Sequence, residues 1–363
     1  AARRISFTTD ARAAVADAEI TFIAVGTPPL PSGEADCSAV LAVAETIARV
    51  ATRDLIIVVK STVPVGTGDR IEATVTRVLA ERATMGTAAI AIDVVSNPEF
   101  LREGAAVRDF LNPDRIVVGV TTSRARAAME LLYKPVVRSG RPVLYMGRRS
   151  AELSKYASNA FLATKVSFMN EVATLCEATG ADVLDVARVM GLDGRIGSRF
   201  LHAGIGWGGS CFPKDTLAFA ATGKEHGVAM HIAEAAVTVN QRQWVRFVDR
   251  IAEVLGNMQG ATIAVWGLAF KPRTDDVRDA PALAIIEACI ARGASVRAYD
   301  PVARSMAAAA LGARERCVLV DDAYAALEGA DLLCVLTEWD EFRSPDFPRM
   351  RALLRRPIII DGR

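Results

Sequence analysis

Short, strongly apolar runs fall into two groups along this chain, and residues 151–260 between them contain none. The first group is EITFIAVG (19–26), DLIIVVKST (54–62), AIDVVSNPEF (91–100) and DRIVVGV (114–120). The second is ATIAVWGLAF (261–270), ASVRAYDP (294–301), ADLLCVLTEW (330–339) and RPIIIDG (356–362). Segments of helical period lie between the runs of the first group, at 38–51 and 67–82. Apolar strands alternating with helices predict a parallel sheet covered on both faces. The middle third reads as helix throughout: a long one over 151–180 ending at Gly180, then 181–190, 215–227 and 230–255. The pattern predicts an α/β protein, two Rossmann-like parallel-sheet domains joined by a helical segment with a long central helix. The domain bounds follow as 1–148, 149–256 and 257–363.

Composition narrows the function. Basic and acidic residues number 43 and 42, a net charge of +1, which excludes a broad nucleic-acid surface but not a local phosphate pocket. No apolar run reaches the ~18 residues of a membrane span, and AARRISFTTD at the start lacks a signal-peptide core. Six scattered cysteines form no C-x-x-C pair and no disulfide framework, so the thiols are read as reduced, the protein as soluble and cytoplasmic, and no metal is expected.

Several stretches carry polar residues where a strand gives way to a loop, the place where open parallel sheets bind ligands. VGTPP (Val25, Gly26, Thr27, Pro28, Pro29) lets a backbone approach a nucleotide; the other reading is an ordinary turn. KSTVPVGT (60–67) offers Ser61 and Thr62, whose alternative is a helix cap. NPEFLREG (97–104) sets Glu99 and Glu103 four apart, one face if helical, where paired carboxylates suit acid–base work; the alternative is a solvated helix start. Lys155 and Asn159 share a helix face and could bind an oxyanion or a sugar hydroxyl, or simply sit at its wet edge.

GIGWGGSCFPKD (204–215) is less easily read as packing. Glycines leave room for a ligand against the backbone, and a helix starting near Pro213 would put Cys211 at its positive end, which activates a thiol. Asp215, four residues on, could face the same site. A core cysteine is the alternative. GLAFKPRTDDVRDAP (267–281) joins a glycine turn, Lys271, Arg273, Arg278 and a helix start at Pro281 into an anion site. Arg363 ends the chain as another candidate phosphate contact.

In this order VGTPP, KSTVPVG, NPEFLREG, K-x-x-x-N, GGSCFPKD and F-K-x-x-T-D-D-x-R resemble the UDP-glucose/GDP-mannose dehydrogenase family, from about residue 5 to 363. The family opens with G-x-G-x-x-G, and its absence here implies that the first βαβ unit of the N-terminal domain is missing. The resemblance implies an NAD-binding domain, a central dimerisation segment on the 151–180 helix giving a homodimer, and a UDP-sugar-binding domain. It implies oxidation of a sugar 6-alcohol twice, to a carboxylate, with two NADH formed. UDP-glucose, giving UDP-glucuronate, is the sugar nucleotide that GGSCFPKD favours. GDP-mannose, a UDP-N-acetylhexosamine and a non-catalytic nucleotide-binding protein are the alternatives.

The resemblance also implies roles. Cys211 is the nucleophile on an aldehyde-level intermediate, forming a thiohemiacetal and then a thioester. Lys155 and Asn159 stabilise charge on the 6-oxygen, Asp215 with Thr62 positions water or acts as base, and Glu99 serves thioester hydrolysis. For the cofactor it implies Val25, Gly26, Thr27, Pro28, Pro29, Ser61, Thr62, Glu103, Cys211, Lys214 and Arg278. For the sugar nucleotide it implies Glu99, Phe100, Leu101, Arg102, Glu103, Lys155 and Asn159, then Phe200, Leu201, Gly204, Gly208, Phe270, Lys271 and Arg363.

Overall fold

The computed structural model describes residues 4–137 and 140–363. The chain divides into two compact units, one running to Ser158 and including Ala221–Val228, the other made of Asn159–Ala220 and Ala229–Arg363.

The first unit is built on strands β1 (Ile20–Ile23), β2 (Leu55–Val59), β3 (Ile92–Ser96), β4 (Ile116–Gly119) and β5 (Val143–Met146), side by side in that order. All neighbours are parallel except β3 and β4, which meet antiparallel at Ser96 and Gly119. An antiparallel neighbour needs no helical crossover, and the β3–β4 connection holds only the six-residue helix Ala106–Leu111. Every residue of β2 is buried. Leu55, Ile57 and Val59 pack with Val40, Ala44 and Ile47 of the helix Ser38–Val50 and with Ile71, Val75 and Val78 of the helix Thr67–Thr84. Ile56 and Val58 turn the other way, toward Val95, Val118, Met129 and Tyr133. Burial is worth about 1.5–3 kcal/mol for each such side chain, which is why β2 reads as an unbroken apolar run. β5 was not expected: it is a four-residue edge strand whose side chains are only partly buried.

The helix Arg148–Thr179, 32 residues long, begins in the first unit and continues as the first element of the second. Helices Val183–Leu192, Phe212–Glu225 and His231–Leu255 follow, with no strand among them. The second sheet comprises β6 (Thr262–Trp266), β7 (Ser295–Tyr299), β8 (Cys317–Leu319), β9 (Leu332–Val335) and β10 (Ile359–Asp361). Its spatial order is β10-β9-β6-β7-β8, all parallel. This is a doubly wound sheet whose chain order reverses between β6 and β9, the crevice where such sheets take ligands. β8, three residues at the edge, also escaped the sequence reading.

Candidate active site

In the first unit the loops after β1 and β2 are stitched by two hydroxyls. Ser61 Oγ donates to the Val25 carbonyl at 2.7 Å, and Thr27 Oγ1 donates to the Thr62 carbonyl at 2.8 Å. Ser61 and Thr62 therefore do not cap the following helix. Gly66, at φ +89°, stands at its N-cap position with no side-chain cap of its own. The cap comes from 86 residues away: Glu152 accepts from the Gly66 N–H at 2.7 Å and the Gly68 N–H at 2.8 Å, and from Ser96 Oγ at 2.8 Å. Burial pushes the Glu152 carboxyl up, against these three donors. Pro28 accepts from the Asp36 N–H, and Pro29 bridges to Ala35, which closes the loop. A Cβ on Gly26 would meet nothing within 4 Å. Small residues, open space and two strand ends fit a nucleotide.

After β3 the structure corrects the sequence. Residues 97–102 form no helix, so Glu99 and Glu103 share no helix face. Pro98 favours extended backbone before it, and the Leu101 N–H is taken by Glu99 Oε2 at 2.5 Å instead of a helical carbonyl. The other oxygen, Oε1, accepts from Lys155 Nζ at 3.0 Å. Lys155 is buried, one turn beyond Glu152 on the long helix, so the Glu152 cap helps fix its position. Phe100 lies beneath Arg115, whose guanidinium is 3.7 Å from the ring centroid, and 5.4 Å from Lys155 Nζ. Arg102 is exposed and held by Asp109 through its side chain and backbone N–H. Glu103 lies in the turn that precedes the Ala106–Leu111 helix.

In the second unit Cys211 stands directly before the helix Phe212–Glu225, its carbonyl accepting from the Asp215 N–H at 2.9 Å. Its sulfur is partly exposed and lies 3.5 Å from Ser210 Oγ. Asp215 is 1% exposed, and both carboxylate oxygens are engaged: Oδ2 by Asn159 Nδ2 at 2.6 Å, Oδ1 by Lys214 Nζ. These bonds fix the amide of Asn159.

The glycines before Cys211 have a different reason from the one expected. A Cβ on Gly208 would lie 2.0 Å from the Asp279 carbonyl oxygen, and one on Gly209 2.5 Å from the Phe270 ring. Protein, not a ligand, fills that space. The loop is further clamped by helix side chains: Asn170 Oδ1 accepts from the Gly204 N–H, Asn240 grips Trp207 through both its N–H and carbonyl, and Ser167 accepts from the Trp207 indole. Phe200, at φ +64°, and Phe212 pack with Trp207, and Leu201 is buried beside them in sequence.

The crevice loops of the second sheet carry the remaining candidates. Lys271 Nζ lies 5.0 Å from the Phe270 ring centroid. Arg363 donates to the carbonyls of Leu336 at 2.9 Å and Phe270 at 3.2 Å, and pairs with Glu338 at 3.2 Å. Arg278 pairs with Asp276 through two nitrogens. Asp300, which the sequence reading passed over, directly follows β7 and accepts from the N–H groups of Leu268, Ala269, Val302 and Ala303 and from the Trp339 indole. No group of three or more His, Cys, Asp or Glu among the described residues could hold a metal ion. No helix among them is long and apolar enough to cross a membrane.

Comparison with known proteins agrees with this layout. Residues 1–137 match the model of the NAD binding domain of the UDP-glucose/GDP-mannose dehydrogenase family, 149–242 its central domain and 264–363 its UDP binding domain. A UDP-glucose 6-dehydrogenase of Pseudomonas aeruginosa is 49% identical over 366 residues, covering 100% of this chain and 80% of that protein. The UDP-glucose 6-dehydrogenase TuaD of Bacillus subtilis is 47% identical, over 99% of this chain and 76% of TuaD. The solved structure of a UDP-glucose dehydrogenase from Pyrobaculum islandicum superposes with a TM-score of 0.90 at 43% identity, covering 99% of this chain and 80% of that one. With three domain models matched in order and near-half identity along its length, the chain belongs to the UDP-glucose/GDP-mannose dehydrogenase family.

Proposed function

We propose that this protein oxidises UDP-glucose to UDP-glucuronate with NAD. Overall, one alcohol and one water become a carboxylate, two hydrides leave the carbon and three protons are released. The substrate assignment is supported by relatives at 47–49% identity that are named UDP-glucose 6-dehydrogenases. The mechanistic reading is carried by one observation: a buried Asp215, in the first turn of the helix that follows Cys211, orients the amide of Asn159.

Val25–Pro29 and Ser61 would hold the cofactor, with Glu103, Lys214 and Arg278. NAD, when bound, supplies the hydride acceptor. Lys155 and Asn159 lower the barrier to alcohol oxidation by stabilising negative charge on the 6-oxygen, a preorganised electrostatic effect. An aldehyde has no hydride to lose until a nucleophile adds. The Cys211 sulfur forms a bond to the aldehyde carbon, its proton passing to a base, and the resulting thiohemiacetal becomes a thioester as the second hydride leaves. Glu99, with Thr62 and Asp215, orients the water. Attack of that water breaks the carbon–sulfur bond, returns the thiol and releases the carboxylate. Phe200, Leu201, Gly204, Lys271 and Arg363 hold the nucleotide.

In this reading residues 1–148 bind NAD, 149–256 form the helical segment and 257–363 bind the UDP-sugar. The exposed Phe161, Phe168 and Leu175, seven residues apart on the long helix, support a homodimer through 151–180. The protein works in the cytoplasm. Cys211→Ser tests the mechanism: it abolishes UDP-glucuronate formation, whereas wild-type turnover in that variant overturns the covalent route. NADH production measured with UDP-glucose, GDP-mannose and UDP-N-acetylmannosamine in parallel tests the substrate.

A further inference from the structure

The stretch that leaves β3 is held in shape by its side chains. Residues 97–102 form neither helix nor strand, so no regular backbone ladder fixes them. Asn97 is fully buried; its Oδ1 accepts from Lys60 Nζ at 3.2 Å and from the Tyr133 hydroxyl, and its Nδ2 donates to the Val117 carbonyl at 2.7 Å. Glu99 is tied to the Leu101 N–H and to Lys155, and Arg102 to Asp109. Phe100 stands among these anchors with a side chain that makes no hydrogen bond. Its ring is half-buried and lies outside the hydrophobic clusters of the described residues.

What the ring meets is Arg115, the residue just before β4. Antiparallel pairing sets Ser96 opposite Gly119, and counting four residues on from the one and four back from the other brings Phe100 opposite Arg115. The guanidinium stands 3.7 Å from the ring centroid, well inside the ~6 Å reach of a cation over an aromatic face. Among the described residues Arg115 makes no hydrogen bond and no ion pair. It is half-buried, and burial opposes its charge more than the neighbouring Asp114 favours it. A half-buried arginine is ordinarily paired with an acid, and a half-buried phenylalanine ordinarily joins a core. Here each lacks that partner and has the other.

We infer that Arg115 is a positioning residue for the sugar nucleotide: stacked on Phe100, it fixes that ring and the irregular backbone of residues 97–102. The inference rests on the reading of this stretch as part of the sugar-nucleotide site and on the activity proposed above. Without Arg115, Glu99 keeps its bonds to the Leu101 N–H and to Lys155. Loss of Arg115 therefore weakens sugar-nucleotide binding more than it slows the chemistry.

The experiment measures kcat, KM for UDP-glucose and KM for NAD, with the Kd of UDP-glucose from titration calorimetry. It compares the full chain with its Arg115→Met, Arg115→Gln, Arg115→Lys and Phe100→Leu variants and with the double variant Arg115→Met/Phe100→Leu. In Arg115→Met, KM and Kd for UDP-glucose rise about fivefold, while kcat and KM for NAD change less than about twofold. Arg115→Lys keeps a cation by the ring and falls between Arg115→Met and wild type. Phe100→Leu raises the same two constants, and adding Arg115→Met to it changes them no further, because the pair is already broken. Arg115→Gln gives the same split should Arg115→Met fail to fold. With Phe100→Leu still raising KM for UDP-glucose, three results overturn the role of Arg115 alone: unchanged constants in its neutral variants, multiplied effects in the double variant, or failure of every Arg115 variant to fold. Unchanged KM and Kd in Phe100→Leu remove the reading of Phe100 and this inference with it.

Discussion

Glycine means opposite things in the two units. At the end of β1, Gly26 faces open space, and a side chain there would touch nothing within 4 Å. Ahead of Cys211, Gly208 and Gly209 are hemmed in by the backbone of Asp279 and the ring of Phe270. The first loop is built around a space, the second around a contact. The acids differ in parallel. Glu152 reaches across from a helix to complete the loop after β2, while Asp300 gathers its own sheet's loop amides at the end of β7. Identical letters in the sequence thus leave open space in one unit and permit close packing of distant segments in the other.

Three substitutions put this contrast under strain. Gly208→Ala should be the most damaging, because its methyl group would overlap a backbone oxygen that cannot swing away. A loss of about 3 kcal/mol or more is expected, read as a lower thermal midpoint, together with loss of activity. A variant as stable as wild type would show that the loop is not packed as described. Asp300→Asn keeps the shape but trades an acceptor-only carboxylate for an amide that must aim donors at N–H groups. About 2 kcal/mol of stability should go, with KM for the sugar nucleotide rising more than KM for NAD. Equal changes in both constants would argue against a role confined to the second sheet's loops. Gly26→Ala, at the other extreme, should alter stability by less than about 0.5 kcal/mol and yet raise KM for NAD. An unchanged KM would break the link between open space and cofactor.

How much of this could be read from the sequence depended on whether the signal was local. β2 was legible because burial on both faces leaves no polar position in it. β5 and β8 were not, since short edge strands bury too little to be distinctive. Cys211 stood out through its neighbours. Lys60, Glu152, Asn170, Asn240 and Asp300 did not, because each is a single polar residue with partners tens of residues away, Asp300 adding local ones on Val302 and Ala303. The NPEFLREG stretch misled by spacing alone: a gap of four implies a shared face only where the backbone coils, and Pro98 with the Glu99–Leu101 bond prevents that. For Gly208 and Gly209 the special need for glycine was legible and its cause was not, since Phe270 and Asp279 are distant in the chain.

The two hydroxyl stitches between the loops after β1 and β2 bear on the thermodynamics of binding. Fixing the backbone of a loop residue costs about 1–2 kcal/mol of conformational entropy. Because Ser61 and Thr27 secure these loops within the folded unit, that cost is met when the chain folds. Were a nucleotide to bind there, as proposed above, it would find its platform already ordered, and more of the contact energy would appear as affinity.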